Sequence, residues 1–150
     1  NPSTDILTHL EIYKEFPKVK AIIHTHSVYA TIFAQNKKPI LCFGTTHADT
    51  FNGDIPITRD LTDKEIKENY ELNIGKVICE VFNQDIPAVL VASHGAFIFG
   101  KSINNAVTNA VVLEKVALMA FNTSFQAPIS KALLDKHYQR KQGKDKYYGQ

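Results

Sequence analysis

Two of the six histidines stand one residue apart in "AIIHTHS", at His24 and His26. An apolar run ending this way reads as a strand, and side chains of a strand alternate with period two, so both imidazoles share one face. A third, His94, ends the apolar run "IPAVLVASH" and is followed at once by Gly95. If the two runs are sheet neighbours, three rings can converge on one point. Neutral imidazoles on fixed strands are a usual ligand set for Zn²⁺, and a carboxylate can complete four-coordination. Asp5, at the first turn of an opening helix, is the candidate fourth ligand. The competing explanation is that each histidine is an ordinary structural or exposed residue, and spacing alone does not separate the two.

The elements that must position these residues follow from pattern. "STDILTHLEIYKEF" carries cap-type residues and then Ile6, Leu7, Leu10 and Tyr13 at helical spacing, with Pro17 beyond the end. "SVYATIFAQNK" predicts a helix with Ser27 as N-cap, "ILCF" a short strand, and "GTTHADTFNGDIP" a long polar loop. "ITR" predicts a brief strand. Thr62-x-x-Glu65 is a capping box that opens a helix or two over 62–83, with a break expected near Gly75. "GAFIFG" predicts a strand that returns from "IPAVLVASH" through a tight turn, so at least one pair is antiparallel. "SINNAVTNAVVLEKVALMAFN" predicts a long amphipathic helix, and a last helix is expected around 130–141. Strands alternate with helices, which defines an α/β domain with a mixed, largely antiparallel sheet and helices on both faces. Phe97 and Phe99, like Tyr13 and Phe16, are expected in the core, and His9 and His47 in structural or supporting places.

Composition excludes several function classes. The chain has 150 residues, 44% hydrophobic and 21% charged, enough for one domain with a substantial core. A net charge of +2 with scattered lysines gives no footprint for nucleic acid. No apolar run approaches the ~20 residues of a membrane span. Cys42 and Cys79 sit in apolar segments and read as buried free thiols, which fits a reducing, cytoplasmic setting.

Five segments, "HTHSVYATIFAQ", "GTTHADTFNGDIPITR", "TDKEIKENYELNIGKVICEVF", "VLVASHGAFIFGKSINNAV" and "LLDKHYQRKQGKDKYYGQ", together resemble the class II sugar-phosphate aldolase/epimerase family. The HxH and SHG elements are shared with its fuculose- and rhamnulose-phosphate aldolases. The "TTHAD" and "YYGQ" elements resemble its epimerases. The resemblance implies a class II aldolase-like fold and one Zn²⁺ per chain on Asp5, His24, His26 and His94. It also implies a phosphate held partly by the hydroxyls of Ser3 and Thr4, where hydroxyls and free N–H groups of a helix start suit an anion. Simple N-capping accounts for the same two residues. Asp49 and Tyr148 take acid/base roles by resemblance. Without it, Asp49 would be read as an Asx-turn residue and the tail as disordered. Thr45 and Glu71 match supporting polar positions, and His137 and Arg140 match substrate-binding ones, although a charge at a helix C-terminus explains the latter pair equally well.

The implied chemistry is inversion at C4 of L-ribulose 5-phosphate, giving D-xylulose 5-phosphate. The C3–C4 bond is cleaved and remade on the other face of the aldehyde, with zinc supplying Lewis acidity and Asp49 and Tyr148 exchanging protons. The family implies a homotetramer with active sites at subunit interfaces. It also implies several dozen residues before the position of Asn1, where epimerases carry Lys, so a domain lacking its N-terminal part is expected. Two other readings remain open: an aldolase of the fuculose-phosphate type, and a non-catalytic module like the head of adducin. Aldolases place a Glu where this chain has Ser3-Thr4-Asp5, and adducin heads lack the histidines.

Overall fold

The computed structural model describes residues 3–123, 127–144 and 146–147. Its elements run α1 (Ile6–Glu15), β1 (Ala21–Thr25), α2 (Val28–Gln35), α3 (Thr45–Ala48), α4 (Asp63–Val81), β2 (Ala88–Leu90), β3 (Ala96–Gly100), α5 (Ile103–Asn122) and α6 (Lys131–Gln142). The sheet has the order β1-β3-β2, antiparallel throughout, with His24 opposite Phe97 and Leu90 opposite Ala96. Among the described residues, one parallel bridge, Ile57 to Leu90, adds the mixed character expected from the sequence.

Strand alternation sends side chains to two faces, and each face has its own helices. Leu90, Ala96 and Ile98 face α2 and α5, packing on Ala30, Ala34, Leu113 and Ala117. Val89, Phe97 and Phe99 face α1 and α4, packing on Ile12, Ile74 and Ile78. Phe97 and Phe99 are at most 1% exposed, and burying such a ring stabilises by roughly 1.5–3 kcal/mol. This is the predicted α/β fold with helices on both faces.

Three expectations between Ile40 and Arg59 needed correction. "ILCF" is no strand, because its backbone is bonded elsewhere: Cys42 N–H donates to Asp54 Oδ1 at 2.7 Å, and its carbonyl accepts from Ile129 N–H at 2.9 Å. Only Ile40 bridges to Ile55. The "ITR" strand likewise reduces to the Ile57 bridge, next to Pro56, which has no N–H to extend a ladder. The polar loop after Phe43 contains the helical turn α3, where the Gly44 carbonyl accepts from His47 and Ala48 N–H at 3.1 and 3.2 Å. His47 is buried, its Nε2–H donating to the Gly53 carbonyl at 2.9 Å, so its role is structural.

The capping box at α4 is present on both sides. The break is at Asn69 (φ −150°, ψ 68°) rather than at Gly75. Gly75 is helical and buried, and a Cβ there would lie 2.9 Å from Glu11 Cβ and 3.1 Å from the Thr8 carbonyl oxygen. The glycine lets α1 lie directly on α4. Ser27 precedes α2 as expected, but its side chain makes no cap; Glu114 of α5 accepts from Tyr29 and Ala30 N–H at 2.9 and 3.1 Å instead. Both cysteines are free, Cys42 buried and Cys79 partly so, and burial raises each thiol to about 11. Among the described residues, no helix is long and apolar enough to cross a membrane.

Candidate metal centre

His24 lies in β1 and stacks on Phe97 with ring centroids 4.2 Å apart. His26 follows one residue beyond the strand end. His94 comes from the β2–β3 turn, in which Ser93 adopts φ 59° and Val91 N–H donates to the Gly95 carbonyl at 2.8 Å. The rings meet: His24 Nε2 is 3.1 Å from His26 Nε2 and 3.1 Å from His94 Nε2. Among the described residues these three form the one group of potential ligands, all donor atoms lying within 4.8 Å of one another.

The donor set fits a divalent ion. His24 Nδ1 lies 3.0 Å from the Ala96 carbonyl; a carbonyl only accepts, so Nδ1 carries the proton and Nε2 a lone pair. That lone pair can accept from one neighbour, not from both, so hydrogen bonds among three neutral rings leave one nitrogen unmatched. A cation matches all three. Zn–N bonds of ~2.0–2.1 Å in a tetrahedron hold the nitrogens roughly 3.3 Å apart, close to the spacing here. Burial, and then the neighbouring His24 and His26, lower the His94 pKa below its ordinary value, favouring the neutral ligand form.

Asp5 stands immediately before α1, half-buried and outside the three-histidine group. Its charge still reaches the site, opposing the lowering of the His94 and His9 pKa values. His9 packs edge-on against Phe97, with centroids 6.0 Å apart. Ser3 Oγ accepts from Asp5 N–H at 3.3 Å within the turn before α1, whose N-cap position is Asp5, while Thr4 is exposed in the turn. Glu71 lies on α4 beside this corner, its carbonyl accepting from Thr8 Oγ1 at 2.6 Å.

Asp49 belongs to a different cluster. Its Oδ1 lies 2.8 Å from His137 Nδ1 and 3.4 Å from Arg140 Nη2, and its carbonyl accepts from Gln142 Nε2 at 3.0 Å. Arg140 Nη2 is also 2.9 Å from His137 Nδ1. Thr45 opens α3 nearby, half-buried. Thr50 and Gln142 line a cavity of about 360 Å³ with Gly100 and Lys101, at the end of β3 away from the histidines. Within one chain, therefore, Asp49, His137 and Arg140 come together, and the three histidines come together, as two clusters. Tyr148 lies outside the described residues.

The sequence did not single out Tyr70, whose hydroxyl is 3.4 Å from His94 Nδ1. It sits in the polar run "KENYELN", and the break that presents it is not marked by Gly or Pro.

The fold and the three-histidine corner define a class II aldolase-type domain. Residues 1–121 match the Class II Aldolase and Adducin N-terminal domain, and the chain belongs to that family. Solved structures share the fold. An L-fuculose 1-phosphate aldolase superposes with a TM-score of 0.70 at 22% identity, over 93% of this chain and 63% of its own. YgbL from Escherichia coli, whose description leaves the reaction open among aldolase, epimerase and decarboxylase, gives 0.73 at 23%, over 92% and 66%. The L-fuculose 1-phosphate aldolase from Glaciozyma antarctica PI12 gives 0.65 at 24%, over 89% and 49%. The chain thus spans between about half and two thirds of these proteins' length.

Proposed function

We propose that the chain is the metal-bearing part of an L-ribulose-5-phosphate 4-epimerase, interconverting L-ribulose 5-phosphate and D-xylulose 5-phosphate. The observation that carries this reading is the convergence of His24, His26 and His94 through their Nε2 atoms. His24, His26 and His94 would hold one Zn²⁺, with Asp5 the proposed fourth ligand. The ion would supply Lewis acidity that stabilises negative charge on the dihydroxyacetone half once the C3–C4 bond opens.

The chain's own residues do the rest. Ser3 and Thr4, at the start of α1, hold the phosphate or fix the entry of that helix. Asp49 takes and returns the proton of the C4 oxygen on one face, and Tyr148 serves the other face. His137 and Arg140 hold the Asp49 carboxyl in place, and Arg140 offers positive charge to the substrate. Thr45 and Glu71 orient its hydroxyls. Because Asp49 and the histidines form separate clusters in one chain, the reading requires a second copy to complete each site. We infer a homotetramer with the active site at the subunit interface, in the cytoplasm.

Incubation of the zinc-loaded protein with L-ribulose 5-phosphate tests this. D-Xylulose 5-phosphate as product, abolished by chelation and restored by zinc, is the expected result. Accumulating dihydroxyacetone and glycolaldehyde phosphate would make the chain an aldolase. No bound metal and no turnover would leave it an adducin-like scaffold. Ser3-Thr4-Asp5, in place of the aldolase Glu, supports the epimerase over the aldolase.

A further inference from the structure

The geometry points to Tyr70 as a positioning residue for His94: its hydroxyl accepts a hydrogen bond from His94 Nδ1–H and so holds the Nε2 lone pair toward His24 and His26. This rests on the metal site proposed above. The Tyr70 hydroxyl lies 3.4 Å from His94 Nδ1, while His94 Nε2 faces His24 Nε2 at 3.1 Å. His24 has the Ala96 carbonyl to fix its tautomer at 3.0 Å. His94 sits on a turn, and the hydroxyl of Tyr70 stands against its Nδ1. A ligand histidine whose second nitrogen is engaged keeps its ring orientation and gains basicity, and losing such a partner typically costs ~10–100-fold in metal affinity.

The backbone is bent to put Tyr70 there. Arg59 bonds Glu65 at 2.8 Å and Glu80 at 3.0 Å through the same Nη2. Fifteen residues of straight helix would separate those positions by ~22 Å, so α4 folds back on itself, and the non-helical residue is Asn69, directly before Tyr70. Side chains support the backbone on both sides of the bend: Asn73 Nδ2 donates to the Glu65 carbonyl at 3.0 Å, and Thr8 Oγ1 to that of Glu71 at 2.6 Å. Asn73 and Thr8 are 8% and 0% exposed. A break flanked by two buried polar side chains is held in place, and it sets one phenol against one imidazole. Burial, and then Glu71 and Asp5, raise the Tyr70 pKa, so the group remains a neutral hydroxyl.

The test is Tyr70→Phe, which keeps the ring of a partly exposed residue and removes only the oxygen. Nitrogen-15 NMR of the metal-free protein, labelled at histidine, reads the His94 tautomer, and zinc competition against a chromogenic chelator reads affinity. The expected result is an Nδ1–H tautomer in the parent chain that is lost or mixed in Tyr70→Phe, with zinc affinity ~10–100-fold weaker and an unchanged melting temperature. A tautomer retained in the variant overturns the proposal, as does an affinity within twofold of the parent's. A parent chain that takes up no zinc defeats the reading of function instead, and the tautomer comparison still decides Tyr70.

Discussion

Gly95 and Thr25 are packed so closely that a Cβ on the glycine would lie 2.8 Å from the Thr25 carbonyl oxygen. The same Cβ would lie 3.2 Å from the His26 ring and 3.3 Å from the His24 ring. The glycine after His94 is therefore what lets the two strand ends close around the imidazoles.

Gly95→Ala should force the β1 and β3 ends apart at this point. Overpacking of this kind costs about 1–3 kcal/mol, and the histidine spacing should widen with it. Thermal unfolding and zinc titration should both show a loss; a variant with parental stability and zinc uptake would refute the packing account.

His26→Asn tests the site from its exposed side. His26 is exposed, so its replacement should change stability by no more than ~0.5 kcal/mol. Removing one of the three imidazole donors should reduce zinc affinity by more than the ~10–100-fold that follows loss of a supporting contact. Metal content after dialysis checks this, and retained zinc would remove His26 from the ligand set.

Glu114→Ala removes the carboxylate that receives the first amides of α2. A lost N-terminal cap costs ~0.5–2 kcal/mol, and here the loss also unties α5 from α2. Denaturant melts should register it, while Ser27→Ala, whose hydroxyl makes no cap, should be close to neutral.

Arg59 fixes the acid sensitivity of the folded-back α4. First through Arg59 and then through the Thr62 N–H, the Glu65 carboxyl is held at about 2 against an ordinary 4.5. A depressed carboxylate pKa contributes stability that is present above the unfolded value and lost as pH falls through the folded one. The difference in melting temperature between the parent and Arg59→Ala should be full at pH 7 and shrink as pH falls from 4.5 toward 2. A difference independent of pH would show that the arginine acts through packing alone.

What the sequence revealed was local. His24 and His26 share a face because strands repeat every two residues, and Thr62 caps with Glu65 because the two are three residues apart. His94 and Gly95 were legible because a strand end followed by glycine announces a tight return. What stayed hidden depends on contacts far apart in sequence. Asn69 breaks α4 in a bend that lets Arg59 reach both residue 65 and residue 80, which no window around Gly75 could disclose. Glu114 caps a helix some 85 residues away, and Asp54 takes the amide that would have built a strand at Cys42. The meeting of His137 and Arg140 with Asp49 is set by the docking of α6 on α3, a tertiary fact with no local signature.

No residue of α6 is buried. Its hold on the body near Asp49 comes from polar groups: His137, Arg140 and Gln142 on Asp49, and Tyr138 on Asp85. Such a helix can peel away without opening either hydrophobic layer. Endurance to heat and the integrity of the Asp49 environment are thus separable properties, and a preparation could melt like the intact protein while having lost the groups that steady that carboxylate.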